Sequence, residues 1–510
     1  MDNIQFTYKS LLERTSDLVV LQSAVDIIHW DMETMMPPKA VEQRSQQLAL
    51  LSRISHKMST APEIGKLLNA ILTNPHYDAL GEVEKRNIYL IKKNYEEQTA
   101  LPEKLVAEIA KQQAITVNTW KKAKNTKNFA VFKPELEKLV TLSKQTAQIL
   151  MQVKKTATPY DALLDIYESK ITSDAITTTF NQLQRGLATL LEKIQSTHNQ
   201  PDTNILHIPV PVEKQRKIAQ ALTQALGYDT TSPTAGGRID ETEHPFTSGY
   251  YDDVRITTHY HPDNYANAIF SVLHETGHAL YEQNINPNWK YQPAGSSCSY
   301  GFHESQSRLF ENIIGRSKEF WTCMLPKLKQ IATPALDEVC LNHFVHAINK
   351  VKPSKIRIEA DEVTYNLHVI VRFQIEKDLF ADKIAVAELP ETWNQKYEKH
   401  LGVKMENDAE GVMQDTHWAS GYYGYFPSYA LGNIYSGQLL AALEKDVQNW
   451  RNQLSQGNLK DIKTWLIKNV HSYGNLYDPA DLIQKITGKE LEAKPYLEYL
   501  REKYSKLYNF

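Results

Sequence analysis

The sequence predicts a mainly α-helical protein with one small β-sheet beside a buried metal site, and three observations predict it. Apolar residues recur at helical spacing, with Lys, Glu and Gln between them, over residues 4–28, 80–124, 131–157 and 172–197. Residues 238–260 alternate instead and are rich in Thr, Tyr, Ile and Val, the pattern of short strands. The pentapeptide His274-Glu275-Thr276-Gly277-His278 has the form H-E-x-x-H and lies inside an apolar helical run, residues 266–281.

Taken in order, the N-terminal helices have two readings: a roof that limits access to a long groove, or a scaffold only. Periodicity does not choose between them. The run Thr230-Thr231-Ser232-Pro233-Thr234-Ala235-Gly236-Gly237 is the clearest break. The strands after it suit the edge of a cleft, where a sheet can pair with an extended peptide. Helices then resume and continue to Phe510. A chain of 510 residues suggests about three domains from length alone. The motifs described below spread from residue 253 to 429 and must converge on one site, so we expect one unit over 1–510. Its 1–235 part is the helical scaffold or roof, and its 236–510 part is catalytic.

A helix turns about 100° per residue, so His274 and His278 stack on one face and can reach one ion. Glu275 sits beside them, where it can take a proton from a water activated by that ion. The chemistry implied is metal-assisted hydrolysis, most often of a peptide bond. Pro262-Asp263 predicts a turn and N-cap before this helix, and Asn286-Pro287-Asn288 ends it. Two histidines and a glutamate buried without partners would be costly, and a metal ion removes that cost. Gly277 costs about 1 kcal/mol of helix propensity relative to Ala, which predicts a close approach by another element. A catalytic zinc site usually has a third protein ligand. Downstream, Phe302, Leu309, Phe310, Ile313 and Ile314 have the spacing of a second helix, and Glu304 on it is the assigned third ligand. His303 is the rival, facing about 100° away. The ligand set suits Zn²⁺, and the same donors accept Co²⁺ or Mn²⁺.

Composition excludes other classes. Net charge is −3, from 57 basic and 60 acidic residues, so nucleic acid is not an expected partner. No apolar run is long enough to span a membrane. Met1-Asp2-Asn3-Ile4-Gln5 lacks the basic and apolar regions of a signal peptide. Cys298, Cys323 and Cys340 form no C-x-x-C pair and read as reduced thiols. A cytoplasmic location is the expectation.

Five motifs stand in order: Asp253-Val254-Arg255-Ile256-Thr257, the H-E-x-x-H pentapeptide, His303-Glu304-Ser305-Gln306, Ile356-Arg357-Ile358-Glu359-Ala360-Asp361, and Gly411-Val412-Met413-Gln414-Asp415-Thr416-His417-Trp418. With Trp30-Asp31-Met32-Glu33-Thr34-Met35-Met36-Pro37-Pro38 and Tyr160-Asp161-Ala162-Leu163-Leu164, the chain resembles the Taq-type thermostable metallocarboxypeptidases from about residue 20 to its C-terminus. The resemblance implies the helical architecture of neurolysin and angiotensin-converting enzyme, with a deep groove and a small sheet. It implies a zinc exopeptidase, commonly homodimeric, in which Glu275 is the general base and Arg357 binds the substrate carboxylate. By analogy with related helical zinc peptidases, His417 and a tyrosine stabilise the oxyanion. Tyr429 is the chosen tyrosine among Tyr422, Tyr423, Tyr425 and Tyr429, and Tyr425 is the runner-up. Arg255 is the alternative clamp, although Asp253 and Arg255 read better as a structural pair on a strand. Asp361 is a candidate outer-shell partner of a metal ligand. The expected activity is release of single C-terminal residues with broad tolerance. An endo-acting oligopeptidase or dipeptidyl carboxypeptidase is the alternative, and a non-catalytic helical binding protein is a distant third.

Overall fold

The computed structural model describes residues 2–510. It is mainly helical with one three-stranded sheet, as expected. The helices Asp2–Thr34, Val41–Ser59, Pro62–Leu72 and Glu82–Ala100 open the chain, and Ile4, Leu11, Ile64, Ile71 and Ile88 form a small core among them. The pair at Val41–Ser59 and Pro62–Leu72 lies outside the predicted spans. The helix predicted over 80–124 is two helices, Glu82–Ala100 and Glu103–Thr126. Pro102 breaks it, because proline has no N–H to donate and forces the preceding Leu101 into an extended conformation, with φ −83° and ψ 123°. Helices Phe129–Lys154 and Ser173–Ser196 fall where periodicity places them. Each starts at a side-chain cap: Asn128 accepts from the Ala130 N–H, and Thr172 from that of Ala175.

The sheet comprises β1 (Gly237–Glu241), β2 (Thr247–Tyr250) and β3 (Asp253–Thr258). Its order is β1-β3-β2, with β3 parallel to β1 and antiparallel to β2. Val254 and Ile256 are fully buried on the inner face of β3, where they join the large core that runs to Tyr508. The helix Tyr265–Gln283, which carries the H-E-x-x-H residues, packs against β2 and β3. Its cap is Asn264, whose side chain accepts from the Asn267 N–H, and not Pro262-Asp263. The correction is local: a capping oxygen must stand immediately before the first helical turn.

The helix that carries Glu304, Tyr300–Arg308, is capped by Ser299 and continues into a π-helical turn, Leu309–Ile314. It is squeezed between two helices. On one side, a Cβ at Gly277 would meet the Gln306 carbonyl oxygen at 2.6 Å and the Ser307 Cα at 2.7 Å. On the other, a Cβ at Gly432, on helix Phe426–Asp446, would meet the Glu304 Cγ at 2.5 Å. The close approach predicted for Gly277 is therefore present, and Gly432 supplies a second one that spacing did not reveal.

A methyl group at either position returns about 1 kcal/mol of helix propensity, but it must displace neighbours packed closer than van der Waals contact. We expect Gly277→Ala and Gly432→Ala each to cost at least about 1 kcal/mol net. Gly411→Ala, whose nearest neighbour is 3.4 Å away, should leave the unfolding midpoint in urea almost unchanged.

Candidate metal centre and catalytic site

His274 and His278 stand one turn apart on the first ligand helix, and Glu304 faces them from the second. The Glu304 Oε2 lies 3.7 Å from the His274 Nε2 and 3.5 Å from the His278 Nε2. Ligand atoms about 2.0–2.1 Å from a tetrahedral ion lie roughly 3.3 Å apart, so this trio fits one divalent ion with little adjustment. Among the described residues it is the one His/Cys/Asp/Glu group close enough to hold such an ion.

The other side of each ligand is held by a partner. The His274 Nδ1 is 2.9 Å from the Glu311 Oε2, which leaves its Nε2 lone pair for the ion. Glu311 is steadied by Arg308 at 3.2 Å and Arg316 at 3.3 Å. The His278 Nδ1 meets the His303 Nδ1, and the His303 Nε2 meets the Glu282 Oε1 at 2.8 Å. Hydrogen bonds can run one way along this chain: His278 donates to His303, and His303 donates to Glu282. That order keeps the His278 Nε2 unprotonated for the ion. His303, the rival ligand, is placed by this geometry behind His278. Burial alone would raise the Glu304 carboxyl, but Arg308 and His274 hold it well below the usual carboxylate range. Its Oε1 accepts from the Arg308 Nε at 2.6 Å. Burial, followed by His303, pushes His278 down to about 3, the neutral form that binds metals.

Glu275 is buried beside the trio and accepts a hydrogen bond from the Thr247 hydroxyl of β2 at 2.6 Å. Burial raises its acid, and His274 and Thr247 only partly oppose that rise. A raised carboxyl is suited to taking up a proton and releasing it again.

His417 and Tyr429 meet, as their spacing suggests: the His417 Nε2 is 3.2 Å from the Tyr429 hydroxyl. Burial pushes His417 down to about 3, with Arg357 and Arg372 acting in the same direction. The buried His417 Nδ1 has no hydrogen-bond partner. An unpaired lone pair there costs less than an unpaired N–H, so the ring proton belongs on Nε2, facing Tyr429. Tyr425 packs edge-to-face on Tyr429, with ring centres 5.2 Å apart, and the Glu304 charge reaches both tyrosines. Of the other candidates, Tyr423 is buried with its hydroxyl on the Trp418 carbonyl, and Tyr422 is half exposed.

Arg357 is buried against the same group, with its guanidinium 4.9 Å from the Tyr429 ring centre. Its Nε and Nη2 bond Asp415 at 3.2 and 2.8 Å, and its Nη1 bonds the Tyr365 hydroxyl at 3.0 Å. It lies in a short 3₁₀ turn, Arg357–Glu359, which stands apart from the helix that begins at Tyr365. The reason is Asp361. Its carboxylate accepts from the backbone N–H groups of Lys352, Val363 and Thr364, so it staples this loop and does not support a metal ligand. Arg255 forms a two-pronged ion pair with Asp253 at 2.7 and 2.8 Å and stacks on Trp30, the structural pair expected on a strand.

Sequence reasoning missed Arg308 and Glu311, although they stand four and seven residues after Glu304 and share its face. Glu282, four residues after His278, carried the same signal. Thr247 and Arg372 carried none, because they reach the site from other elements.

A model of the family described as carboxypeptidase Taq (M32) metallopeptidase matches residues 10–504. Carboxypeptidase 1 of Bacillus subtilis is 38% identical over 499 residues, covering 98% of this chain and 97% of that protein. Thermostable carboxypeptidase 1 of Thermus thermophilus is 38% identical over 509 residues, covering 98% and 99%. Among solved structures, the M32 carboxypeptidase from Deinococcus radiodurans R1 aligns with a TM-score of 0.94 at 33% identity, covering 99% of this chain and 100% of that one.

The His278–His303–Glu282 chain gives a test of the outer shell. His303→Leu should weaken Zn²⁺ or Co²⁺ binding by about 10- to 100-fold in a chelator competition. His303→Asn can place an amide oxygen where Nδ1 stands and should retain most of the affinity. Equal affinities in both variants would show that the chain does not orient His278.

Proposed function

The chain belongs to the carboxypeptidase Taq (M32) metallopeptidase family, and we propose that it releases single C-terminal residues from peptides, with broad side-chain tolerance, using Zn²⁺ held by His274, His278 and Glu304. Membership makes it a metal-dependent carboxypeptidase; the residue roles that follow are our reading. When bound, the ion supplies Lewis acidity, activating a water and polarising the scissile carbonyl. Glu275 accepts the water proton and passes it to the leaving amine. Thr247 holds its carboxylate in place. Tyr429 accepts a hydrogen bond from the His417 Nε2–H, so its own O–H is free to donate to the developing oxyanion. That direction of bonding supports Tyr429 over Tyr425 as the donor.

One observation carries the exopeptidase reading: the charge balance around Asp415. Arg357 and Arg372 both pair with this carboxylate, at 2.8 and 2.5 Å, and no other carboxylate among the described residues forms an ion pair with either. Two buried guanidiniums share one ion-paired carboxylate, and the next acid, Glu376 one turn along from Arg372, is pushed by burial toward its neutral form, which favours a bound anion. Three of the five Arg357 N–H donors are committed, and two remain for a substrate carboxylate. One residue spans at most about 3.6 Å, so a clamp for single-residue release must adjoin the oxyanion donor. Arg357 stacks on Tyr429, which supports that arrangement.

With this reading go a cytoplasmic location, for which three unpaired cysteines argue, and a homodimer. Val20, Ile27, Met35, Val41 and Leu50, exposed along the first two helices and the turn between them, suit its interface. No helix is long and apolar enough to cross a membrane. The unit 1–510 acts as a whole, with 1–235 as scaffold and roof and 236–510 carrying the chemistry.

The test uses zinc-loaded protein and a blocked tripeptide with a free C-terminus, its amidated twin and the Glu275→Gln variant, with products weighed by mass spectrometry. We expect loss of one C-terminal residue, no cleavage of the amide, and a fall in kcat of about 10²- to 10⁴-fold in the variant. Internal cleavage that ignores amidation would favour an oligopeptidase instead.

A further inference from the structure

Two parts of the sequence pattern, the Tyr160-Asp161-Ala162-Leu163-Leu164 segment and Trp418, take no part in the chemistry above, yet they meet at one buried carboxylate. Glu376, on the helix Tyr365–Phe380, is fully buried. It accepts three hydrogen bonds: from the Trp418 indole N–H at 2.7 Å, the Tyr160 hydroxyl at 2.8 Å and the Gly424 backbone N–H at 2.9 Å. Trp418 directly follows His417, and Gly424 directly precedes Tyr425. Two of the three donors therefore belong to the loop that carries the proposed oxyanion residues. The third comes from Pro159–Tyr167, a short helix of the N-terminal half.

That helix touches the loop a second time. Gly424 has a φ of +85°, and a Cβ there would meet the backbone of Leu163 and Leu164 at 2.9 Å. Main chain thus lies directly on main chain, a contact that only glycine permits in this conformation. A buried carboxylate is an expensive way to fill space, since an apolar side chain would stabilise the core more cheaply. What it supplies is direction: three donors from two elements, the loop and the short helix, are fixed on two oxygens. Burial pushes Glu376 up to about 7 against the pull of those donors and of Arg372, one turn earlier on its own helix. Its other titratable neighbours are Tyr423 on the loop and Tyr167 on the short helix.

We propose that Glu376 and Tyr160 are positioning residues that seat the Trp418–Tyr425 loop, so that His417, Tyr425 and Tyr429 are held where the oxyanion forms. The inference rests on the oxyanion role given to His417 and Tyr429. It assigns the N-terminal half a share in transition-state geometry, beyond covering the site.

Tyr160→Phe removes one hydroxyl and nothing else. Glu376→Gln keeps the shape but turns one acceptor into a donor that faces other donors. In the zinc-loaded full chain acting on the blocked tripeptide, Glu376→Gln should lower kcat by about 10- to 100-fold and Tyr160→Phe by less, with KM and zinc affinity within about twofold of the parent. Affinity for a phosphinic tripeptide, which mimics the oxyanion, should fall in proportion to kcat/KM. Tyr429→Phe is the reference. If it is slow while both seat variants run at the parent rate, this inference fails and the oxyanion reading stands. If Tyr429→Phe runs at the full rate, that reading fails and takes the inference with it. If zinc affinity and thermal stability fall together with kcat in both seat variants, the residues serve general stability, and the positioning role is overturned.

Discussion

Glu304 has to remain ionised where water scarcely reaches it, and much of the site is arranged around that requirement. Its side chain has 8% of its surface exposed, and four neighbours act on its two oxygens. Arg308 takes Oε1, while His274, His278 and the Ser307 hydroxyl face Oε2. The charge does not stop there. Arg308 also bonds Glu311, and Glu311 bonds both His274 and Arg316. Acid and base alternate along one face of the helix and its π turn, so each charge is met by its neighbours. The same row of carboxylates makes the space between the histidines attractive to a cation.

Close packing is what makes this charge row stiff. Gly277 and Gly432 let the second ligand helix lie in backbone contact with one helix and side-chain contact with another. A side chain at Gly277 would wedge the two ligand-bearing helices apart, and one at Gly432 would displace the Glu304 side chain itself. The separations of 3.5 and 3.7 Å between Glu304 and the histidines are therefore set by backbone packing, and the trio is preformed for an ion. Preorganised ligands of this kind spend little binding energy on ordering the protein.

The sequence makes legible whatever depends on spacing within one element. His274 and His278 are readable as a pair because four residues bring them onto one helical face. The sheet is readable from its alternation, and Asp253 with Arg255 from the two-residue repeat of a strand. Pro102 was readable too, but the apolar period on either side of it masked the break. Partners set by tertiary packing are not readable. Nothing in the spacing of Arg357 shows that Asp415 occupies two of its five N–H donors, or that Arg372 shares the same carboxylate. Asp361 looked like a companion to the metal ligands because of the motif it closes. Three backbone N–H groups and the Thr364 hydroxyl claim its acceptor sites first.

The division of the chain into scaffold and catalytic portion blurs at the loop that carries His417. Its backbone is irregular and partly buried, so its carbonyl groups need partners that no regular element supplies. The helix Glu103–Thr126 provides them: the Trp120 indole bonds the Met413 carbonyl at 2.9 Å, Lys124 that of Gln414 at 3.0 Å, and Gln113 that of Ser420 at 2.9 Å. Tyr160 adds the bond to Glu376. The N-terminal residues also reach the sheet, where Trp30 lies between Arg238 and Arg255 and the Thr242 hydroxyl bonds the Glu33 carbonyl at 2.9 Å. Without these contacts the loop would expose or strand several backbone acceptors, each worth roughly 1–3 kcal/mol if left buried and unpaired. The candidate metal ligands need only two helices. Holding His417 and Tyr429 opposite them takes donors from the first 170 residues as well, and that is a physical reason for so small a site to need so long a chain.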